Sequence, residues 1–175
     1  MSPTRSVQTY SLFALGSLVA SVMMATFAEA AALAEVSCRL TMPVTLGRKE
    51  PAVPVLALRN GGKEPVAILK RNTPLEGWLA DSLIVTRDDQ PVAYIGAMAK
   101  RVPPTAEEYL RLKPGARRRF RVMLQRGYDV SLPGKYEVRW KGELMDAQMG
   151  NNPVSLALAQ PQTVACTVLT FTRAP

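Results

Sequence analysis

The sequence predicts an all-β fold, an immunoglobulin-like antiparallel β-sandwich that forms a single domain. Three observations support this prediction. Apolar and polar residues alternate with a period of two in several segments, which is the pattern of strands with one buried face. Turn-forming residues separate these segments at short intervals, as they do in sandwiches. Fourteen prolines are spread through the 175 residues, and proline interrupts long helices.

The strand pattern is clear in six segments. The first begins at Val36, and every second residue from there to Met42 is apolar. Residues 53–58 and 83–86 are short apolar runs, consistent with strands buried against another sheet. Three later segments alternate again, with apolar residues at Phe120, Val122 and Leu124, at Tyr136, Val138 and Trp140, and at Val164, Cys166 and Val168.

Turn signals fall between these segments. Residues 60–62 (Asn-Gly-Gly) are predicted to form a hairpin turn, and residues 88–89 (Asp-Asp) a second turn. Pro-Gly pairs at 114–115 and 133–134 each precede a predicted strand. A single short helical turn is expected at residues 105–110, where a threonine followed by a glutamate three residues later forms a capping box.

The first 34 residues have the organisation of a secretory signal peptide. Arg5 supplies a positive charge, residues 12–27 are apolar apart from small residues, and small-x-small sites end at Ala30 and Ala34. The apolar run is short for a membrane-spanning helix and no stop-transfer charges follow it, which disfavours an anchor. We predict cleavage after Ala30 or Ala34, a mature domain of residues 35–175, export to the periplasm or beyond the cell, and no stable membrane insertion after cleavage.

Cys38 and Cys166 are the two cysteines of the chain. In an oxidising compartment a lone pair is most simply a disulfide. This bridge would close nearly the whole domain, which stabilises by roughly 4–5 kcal/mol on chain-entropy arguments. A zinc site would need a histidine or further cysteines, so a structural disulfide is predicted.

The chain contains no histidine. This removes the commonest general base, the usual zinc ligand and every Ser-His or Cys-His dyad. The sequence also has no Ser-x-x-Lys motif, no Gly-x-Ser-x-Gly elbow and no glycine-rich phosphate loop. Glu107 and Glu108 are adjacent and therefore point in different directions, unlike the opposed carboxylates of a glycosidase. We predict a protein that is not an enzyme, with no catalytic or metal residue and no cofactor.

The formal net charge is +8, which either keeps the protein soluble or attracts an anionic partner. The densest basic run is at residues 117–121, where Arg117, Arg119 and Arg121 would line one face of a strand. These arginines are interpreted either as a docking patch for a carboxylate-rich partner or as a solvated face that discourages aggregation. No aromatic side chain is interleaved on that face, as stacking on bases requires, so nucleic acid is not a predicted partner.

Three groups of motifs occur in a characteristic order. The first is Ile-Leu-Lys-Arg-Asn-Thr-Pro-Leu-Glu-Gly at 68–77. The second comprises Leu-Ile-Val-Thr-Arg at 83–87, Tyr-Ile-Gly at 94–96 and Lys-Arg-Val-Pro-Pro-Thr at 100–105. The third comprises Leu-Lys-Pro-Gly at 112–115, Gly-Tyr-Asp-Val-Ser at 127–131 and Pro-Gly-Lys-Tyr at 133–136. Over residues 36–171 this order resembles the non-catalytic N-terminal region of deuterolysin-type (aspzincin) metallopeptidases, including bacterial peptidyl-Lys relatives.

In that family a zinc-binding domain with a His-Glu-x-x-His helix follows, and no residue of the present sequence is its counterpart. The resemblance therefore implies a free-standing version of the accessory, propeptide-like domain. Such a domain would bind, inhibit or assist the folding of a protease encoded elsewhere.

The most specific part of the resemblance is Asn72, Thr73, Pro74, Leu75 and Glu76. This loop is interpreted either as a partner-docking site or as a connection that the sandwich needs, with the following tryptophan packed on the core. Both interpretations remain open from the sequence.

The sequence thus predicts an exported, non-catalytic, protease-associated domain whose partner is another protein. The alternative is an envelope structural or adhesion domain that binds anionic polymers through the arginine-rich sheet face. A less favoured alternative is a copper(I) carrier that uses Met145 and Met149, because thioethers select this soft ion. The sequence does not predict the oligomeric state.

Overall fold

The computed structural model describes residues 34–152, 154, 155, 157 and 159–175. The first 33 residues, which hold most of the predicted signal peptide, lie outside the described residues. Within the described part the helical elements are three 3-10 turns, at Pro74–Glu76, Ala106–Glu108 and Leu124–Arg126. The second confirms the predicted turn at 105–110, and the other two correct the expectation of a single turn. No helix there is long and apolar enough to cross a membrane. The prediction of an all-β fold is confirmed.

The described residues contain thirteen strands. They are β1 Val36–Thr41, β2 Thr45–Leu46, β3 Val55–Asn60, β4 Val66–Leu69, β5 Leu83–Arg87, β6 Gln90–Pro91, β7 Tyr109–Leu112, β8 Arg117–Arg121, β9 Gly134–Trp140, β10 Glu143–Leu144, β11 Ala147–Met149, β12 Gln162–Thr163 and β13 Leu169–Arg173.

These strands form four sheets. The first has the order β1-β3-β8 and the second has the order β2-β13-β9-β5-β6. Two smaller sheets have the orders β11-β4-β7 and β10-β12. The pairs are antiparallel except for β2 with β13, which is parallel, so the predicted antiparallel pattern needs correction at this edge.

The first and second sheets face one shared hydrophobic core. Leu40, Leu56 and Leu58 enter it from the first sheet, and Val138 and Phe171 enter it from the second. Leu56, Leu58 and Val138 are fully buried, and burial of a side chain of this size contributes about 1.5–3 kcal/mol. Two layers around one core are the arrangement of a sandwich; its immunoglobulin-like type stays a prediction.

The predicted disulfide is confirmed. Cys38 and Cys166 are bonded, with their Cα atoms 4.5 Å apart and a sequence separation of 128. Cys166 also lies beside Cys38 as a parallel bridge, and the backbone N–H of Leu40 donates to Oγ1 of Thr167 at 2.9 Å. The C-terminal segment is therefore fixed against β1 by covalent and hydrogen bonds.

The predicted face of the last strand is wrong. Val168 was expected to point inward with Cys166, but it is 48% exposed, and Leu169 and Phe171 are buried instead. The chain pairs with β1 at Cys166 and then crosses to the second sheet, where β13 pairs with β9. Because each sheet fixes its own alternation, the pattern restarts at the crossing.

Two further expectations about strands need correction. The turn at residues 60–62 is not a hairpin turn, because β3 pairs with β1 and β8 while β4 pairs with β7 and β11. The side-chain amide of Asn60 donates to the carbonyls of Glu64 at 2.7 Å and Leu112 at 3.1 Å, and so stabilises a passage between sheets. The run at 83–86 is not buried on both faces, since Ile84 is 41% exposed.

The turn at residues 88–89 is confirmed as the connection between β5 and β6. Asp88 and Asp89 have φ values of 47° and 63°. Positive φ at both central residues defines the tight hairpin turn whose twist matches that of its strands, and aspartate tolerates this conformation.

Replacing Cys38 and Cys166 together by alanine is expected to lower the free energy of unfolding by about 4–5 kcal/mol, because the open chain regains the entropy of a long loop. Urea denaturation of the oxidised protein and of the double variant measures this difference. A loss below about 1 kcal/mol would contradict a major role for the loop closure.

Candidate functional site

The loop at residues 72–76 is shaped by its own backbone chemistry. Asn72 has φ 56°, a left-handed conformation that asparagine accepts more readily than most residues. Thr73 is the N-cap of the 3-10 turn Pro74–Glu76, and its Oγ1 accepts from the N–H of Leu75 at 3.1 Å while donating to the carbonyl of Lys70 at 2.6 Å. Pro74 suits the first position of the turn because its φ is already fixed.

The carboxylate of Glu76 is used inside the molecule. It accepts from the backbone N–H of Asn72 at 3.0 Å and from both terminal nitrogens of Arg101. Arg101 also donates to the carbonyl of Leu79 at 3.3 Å. These bonds connect the loop to the segment around residue 101. Both oxygens of the Glu76 carboxylate already accept hydrogen bonds within the chain, which leaves them poorly placed to bind a partner.

A second ion pair, between Arg71 and Glu108, also joins the chain beside the loop to the segment that follows residue 101. Nε of Arg71 donates to Oε2 of Glu108 at 2.6 Å and Nη2 donates to Oε1 at 2.7 Å, so the pair is bidentate. The side chain of Arg71 is 9% exposed and that of Glu108 is 32% exposed. Two hydrogen bonds to its carboxylate lower the pKa of Glu108 to about 2. The bond from Arg71 has the larger effect and the bond from the N–H of Thr105 the smaller one. The backbone N–H of Thr105 donates to Oε1 of Glu108 at 2.9 Å, which confirms the half of the predicted capping box that Glu108 supplies.

Trp78, directly after the loop, packs on the core as the structural interpretation expected. Its ring meets that of Tyr128 edge-on with centroids 5.9 Å apart. It also lies so close to Gly127 that a Cβ there would fall 2.1 Å from the indole. This contact requires glycine at position 127.

The five loop residues therefore differ in what they offer a partner. Thr73 is 1% exposed and Pro74 is also buried, whereas Asn72, Leu75 and Glu76 are partly exposed. Most polar groups of the loop already have hydrogen-bond partners within the chain. The geometry of the loop therefore favours a structural connection over a docking site.

The arginine-rich strand follows the predicted alternation in part, since Arg118 on the other side of the strand is exposed as well. Arg117, Arg119 and Arg121 on β8 are exposed, while Phe120 between them is half-buried. The register of the sheet then adds two arginines that the sequence analysis did not include. Arg59 lies opposite Arg117, and Arg39 lies two strands from Arg119 in the same row, across Ala57. We refer to Arg39, Arg59, Arg117, Arg119 and Arg121 together as the arginine face.

Glu35 precedes β1 and is exposed, but the paired part of this surface contains no acidic residue. Its three rows across β1, β3 and β8 are Ser37–Arg59–Arg117, Arg39–Ala57–Arg119 and Thr41–Val55–Arg121. None of the ion pairs among the described residues involves an arginine of the face. Arg59 and Arg117 are directly opposed, and like charges in that position destabilise a sheet. Ala57, which lies between Arg39 and Arg119 in its row, is only 5% exposed.

The outer face of the second sheet is different. Lys135, Glu137 and Arg139 alternate along β9 and are all exposed, so both signs of charge are present. Thr170 and Thr86 lie opposite Glu137 on either side. The concentration of one sign on the first sheet is therefore a property of that sheet and not of the surface in general.

A groove of about 370 Å³ lies on the arginine face. Arg39, Arg59 and Arg117 line it together with Ser37 and Ala57. The groove is open and three arginines belong to its lining; guanidinium groups bind carboxylates in a bidentate manner. Its chemistry suits an anionic group of a partner.

The two methionines considered for copper are not brought together. Met145 lines a cavity with Glu143 and Pro161, whereas Met149 lines a different one with Glu35 and Val66. Among the described residues no group of three or more Cys, Asp or Glu side chains could hold a metal ion. The structure thus gives the copper(I) hypothesis no support.

Comparison with known proteins gives one informative similarity. No protein-family model matches the chain. Over 85 residues, 49% of its length, the chain is 38% identical to a protein named extracellular protease from Aeromonas hydrophila. The match covers 24% of that protein, so the chain corresponds to a minor part of it. This similarity relates the chain to a protease; the deuterolysin type stays a prediction.

Glu108→Gln is expected to lower the free energy of unfolding at pH 7 by about 1–3 kcal/mol, because buried Arg71 loses its charged acceptor. Since folding lowers the pKa of Glu108 to about 2, this contribution is present above the ordinary glutamate pKa and is lost as the pH falls toward 2. Denaturation of wild type and variant between pH 7 and pH 2 measures the difference, which should shrink toward the acid end. The neighbouring exposed Glu107→Gln is the control, and equal effects of the two would contradict the assignment.

Arg117→Glu is expected to raise the stability by about 0.5–1 kcal/mol at low ionic strength, because a repulsive cross-strand pair with Arg59 becomes attractive. The gain should fade in high salt, which screens exposed charges. Thermal denaturation at low and high salt measures both effects, with Arg139→Glu on the second sheet as the control. A destabilised Arg117→Glu protein at low salt would contradict the repulsion.

Proposed function

We propose that this chain is an exported, non-catalytic domain that binds another protein in association with a protease. The observation that carries the proposal is the 38% identity over 85 residues to part of an extracellular protease. The matched part is about a quarter of that protein, and we take it to be an accessory part of the enzyme.

Export is supported by two observations. The Cys38–Cys166 disulfide is typical of oxidising compartments, and the similar protein is named as extracellular. Periplasm or external medium are both compatible with these observations.

A non-catalytic role agrees with the chemistry available. The sequence has no histidine, and the carboxylates of Glu76 and Glu108 are engaged by arginines. Asp146, the other buried acid of note, accepts from Tyr109 Oη at 2.6 Å and from the N–H of Gln160 at 2.7 Å. These acids stabilise loops, and none of them is free to act as a base in a cleft.

The motif order at 68–77, 83–105 and 112–136 extends the proposal to the deuterolysin type. On that basis the domain acts on a zinc peptidase as an inhibitor or as a folding assistant. Both roles need a direct contact with the protease, and they differ in which state of the protease is bound.

The test is a titration of the purified protein against the mature Aeromonas hydrophila protease and, separately, against a deuterolysin-type peptidase. Calorimetry measures binding, peptide hydrolysis measures inhibition, and recovery of activity after denaturation measures assisted folding. We expect binding, with complete inhibition at one equivalent or an increased yield of refolding. No binding and no change in either activity would overturn the proposal.

One observation favours a second candidate, an envelope structural or adhesion domain. Five arginines form a surface whose paired rows contain no acidic residue, and such a surface suits an anionic polymer. Attraction of this kind is screened by salt, so polymer binding should collapse between low and moderate ionic strength. A protease contact built on apolar burial would persist there.

A further inference from the structure

β8 is an edge strand whose outer side is unpaired among the described residues, where it pairs with β3 alone. The ladder to β3 includes bonds from the N–H of Asn60 to the carbonyl of Ala116 at 3.0 Å and from the N–H of Val122 to the carbonyl of Pro54 at 2.9 Å. In an antiparallel pair the hydrogen-bonded residues alternate. The backbone groups of Arg118 and Phe120 therefore point to β3.

It follows that the N–H and C=O groups of Arg117, Arg119 and Arg121 point away from the sheet. These are the same residues whose side chains belong to the arginine face. The edge thus presents three pairs of backbone donor and acceptor and three guanidinium groups. Both sets repeat every second residue, at about 6.6–6.8 Å along the strand.

We propose that the edge of β8 binds an extended acidic segment of another polypeptide, which adds to the first sheet as an antiparallel strand. Asp or Glu occupies every second position of this segment, opposite Arg117, Arg119 and Arg121. An apolar residue lies opposite Phe120, which is half-buried.

The register requires acids at alternate positions. In a strand added to β8, the residues that exchange hydrogen bonds with Arg117, Arg119 and Arg121 have their side chains on the arginine face. Opposite charges directly across two strands are stabilising. Arg59 and Arg39 lie one and two strands further in, at about 4.8 Å per strand, and extend the positive surface under longer acidic side chains.

Protection of the edge against aggregation does not account for the whole face. Charged residues on an edge strand do prevent self-association, and a second copy of β8 would place arginine against arginine. Arg59, however, is on the central strand of its sheet, where no edge needs protection. The repulsion between Arg59 and Arg117 is a cost that an anionic partner would relieve.

A polypeptide satisfies this site more completely than an anionic polysaccharide does. Both can neutralise the guanidinium groups, but strand addition also fills the three open pairs of backbone groups. The inference rests on the proposed function only in taking the partner to be a polypeptide, and it does not require the partner to be a protease.

The test uses synthetic capped nine-residue peptides in which Glu and Val alternate, with binding to the purified protein measured by fluorescence anisotropy. A peptide of the same composition with its glutamates in one block is the first control. We expect the alternating peptide to bind at least about tenfold more tightly, because only it presents its acids on one face of a strand.

Backbone methylation separates strand addition from charge attraction alone. N-methyl groups on the Glu residues remove the N–H groups that face β8 and should weaken binding by about tenfold or more. N-methyl groups on the Val residues lie on the far edge and should change the affinity by less than about threefold. Equal effects of the two modifications would overturn strand addition.

Protein variants provide the matching test. Arg119→Glu should weaken the alternating peptide by about tenfold or more, and Arg139→Glu on the second sheet by less than about threefold. Absence of peptide binding, or a polyuronate that binds more tightly than the alternating peptide, would overturn the proposal. Either result leaves the protease titration unaffected, so the two failures are distinguishable.

Discussion

The register between β1, β3 and β8 is the constraint that links the core of this protein to its surface. With a period of two, a shift of one residue would exchange the two faces of the sheet. The observed register buries Leu40, Leu56 and Leu58 and places Arg39, Arg59 and Arg117 outside. The same side chains that make the core apolar therefore fix the arginines as a group, and the disulfide at Cys38 fixes the outer strand.

The two candidate surfaces differ in whether their polar groups are already satisfied. In the loop at 72–76 the carboxylate of Glu76, the hydroxyl of Thr73 and the backbone of Asn72 all have partners in the same chain. On the arginine face neither the guanidinium groups nor the open edge of β8 has one among the described residues. A binding partner can use charge and backbone groups that are unsatisfied at one place, which is why the strand-addition proposal is made for the sheet and not for the loop.

Sequence reasoning succeeded where the information was local. The alternation at Val36 and Tyr136 predicted strands β1 and β9, and the two cysteines predicted their bond. The alternation at Phe120 predicted β8 only in part, because the strand ends at Arg121 and Leu124 begins a 3-10 turn. It failed where one segment serves two sheets, as at Val168, whose neighbour Leu169 takes the buried position. Arg39 and Arg59 were missed because only long-range pairing brings them to Arg117; their place on the polar side of each strand was the available signal. Likewise, nothing local shows that Arg101 binds Glu76.

The most direct measurement is amide hydrogen exchange along β8, followed residue by residue in the free protein and with an alternating acidic peptide. In the free protein the amides of Arg117, Arg119 and Arg121 should exchange about a hundredfold faster than those of Arg118 and Phe120, since the former face solvent and the latter face β3. Addition of the peptide should slow the three fast amides. Equal exchange of all five in the free protein would show that the edge is not open and would contradict the account.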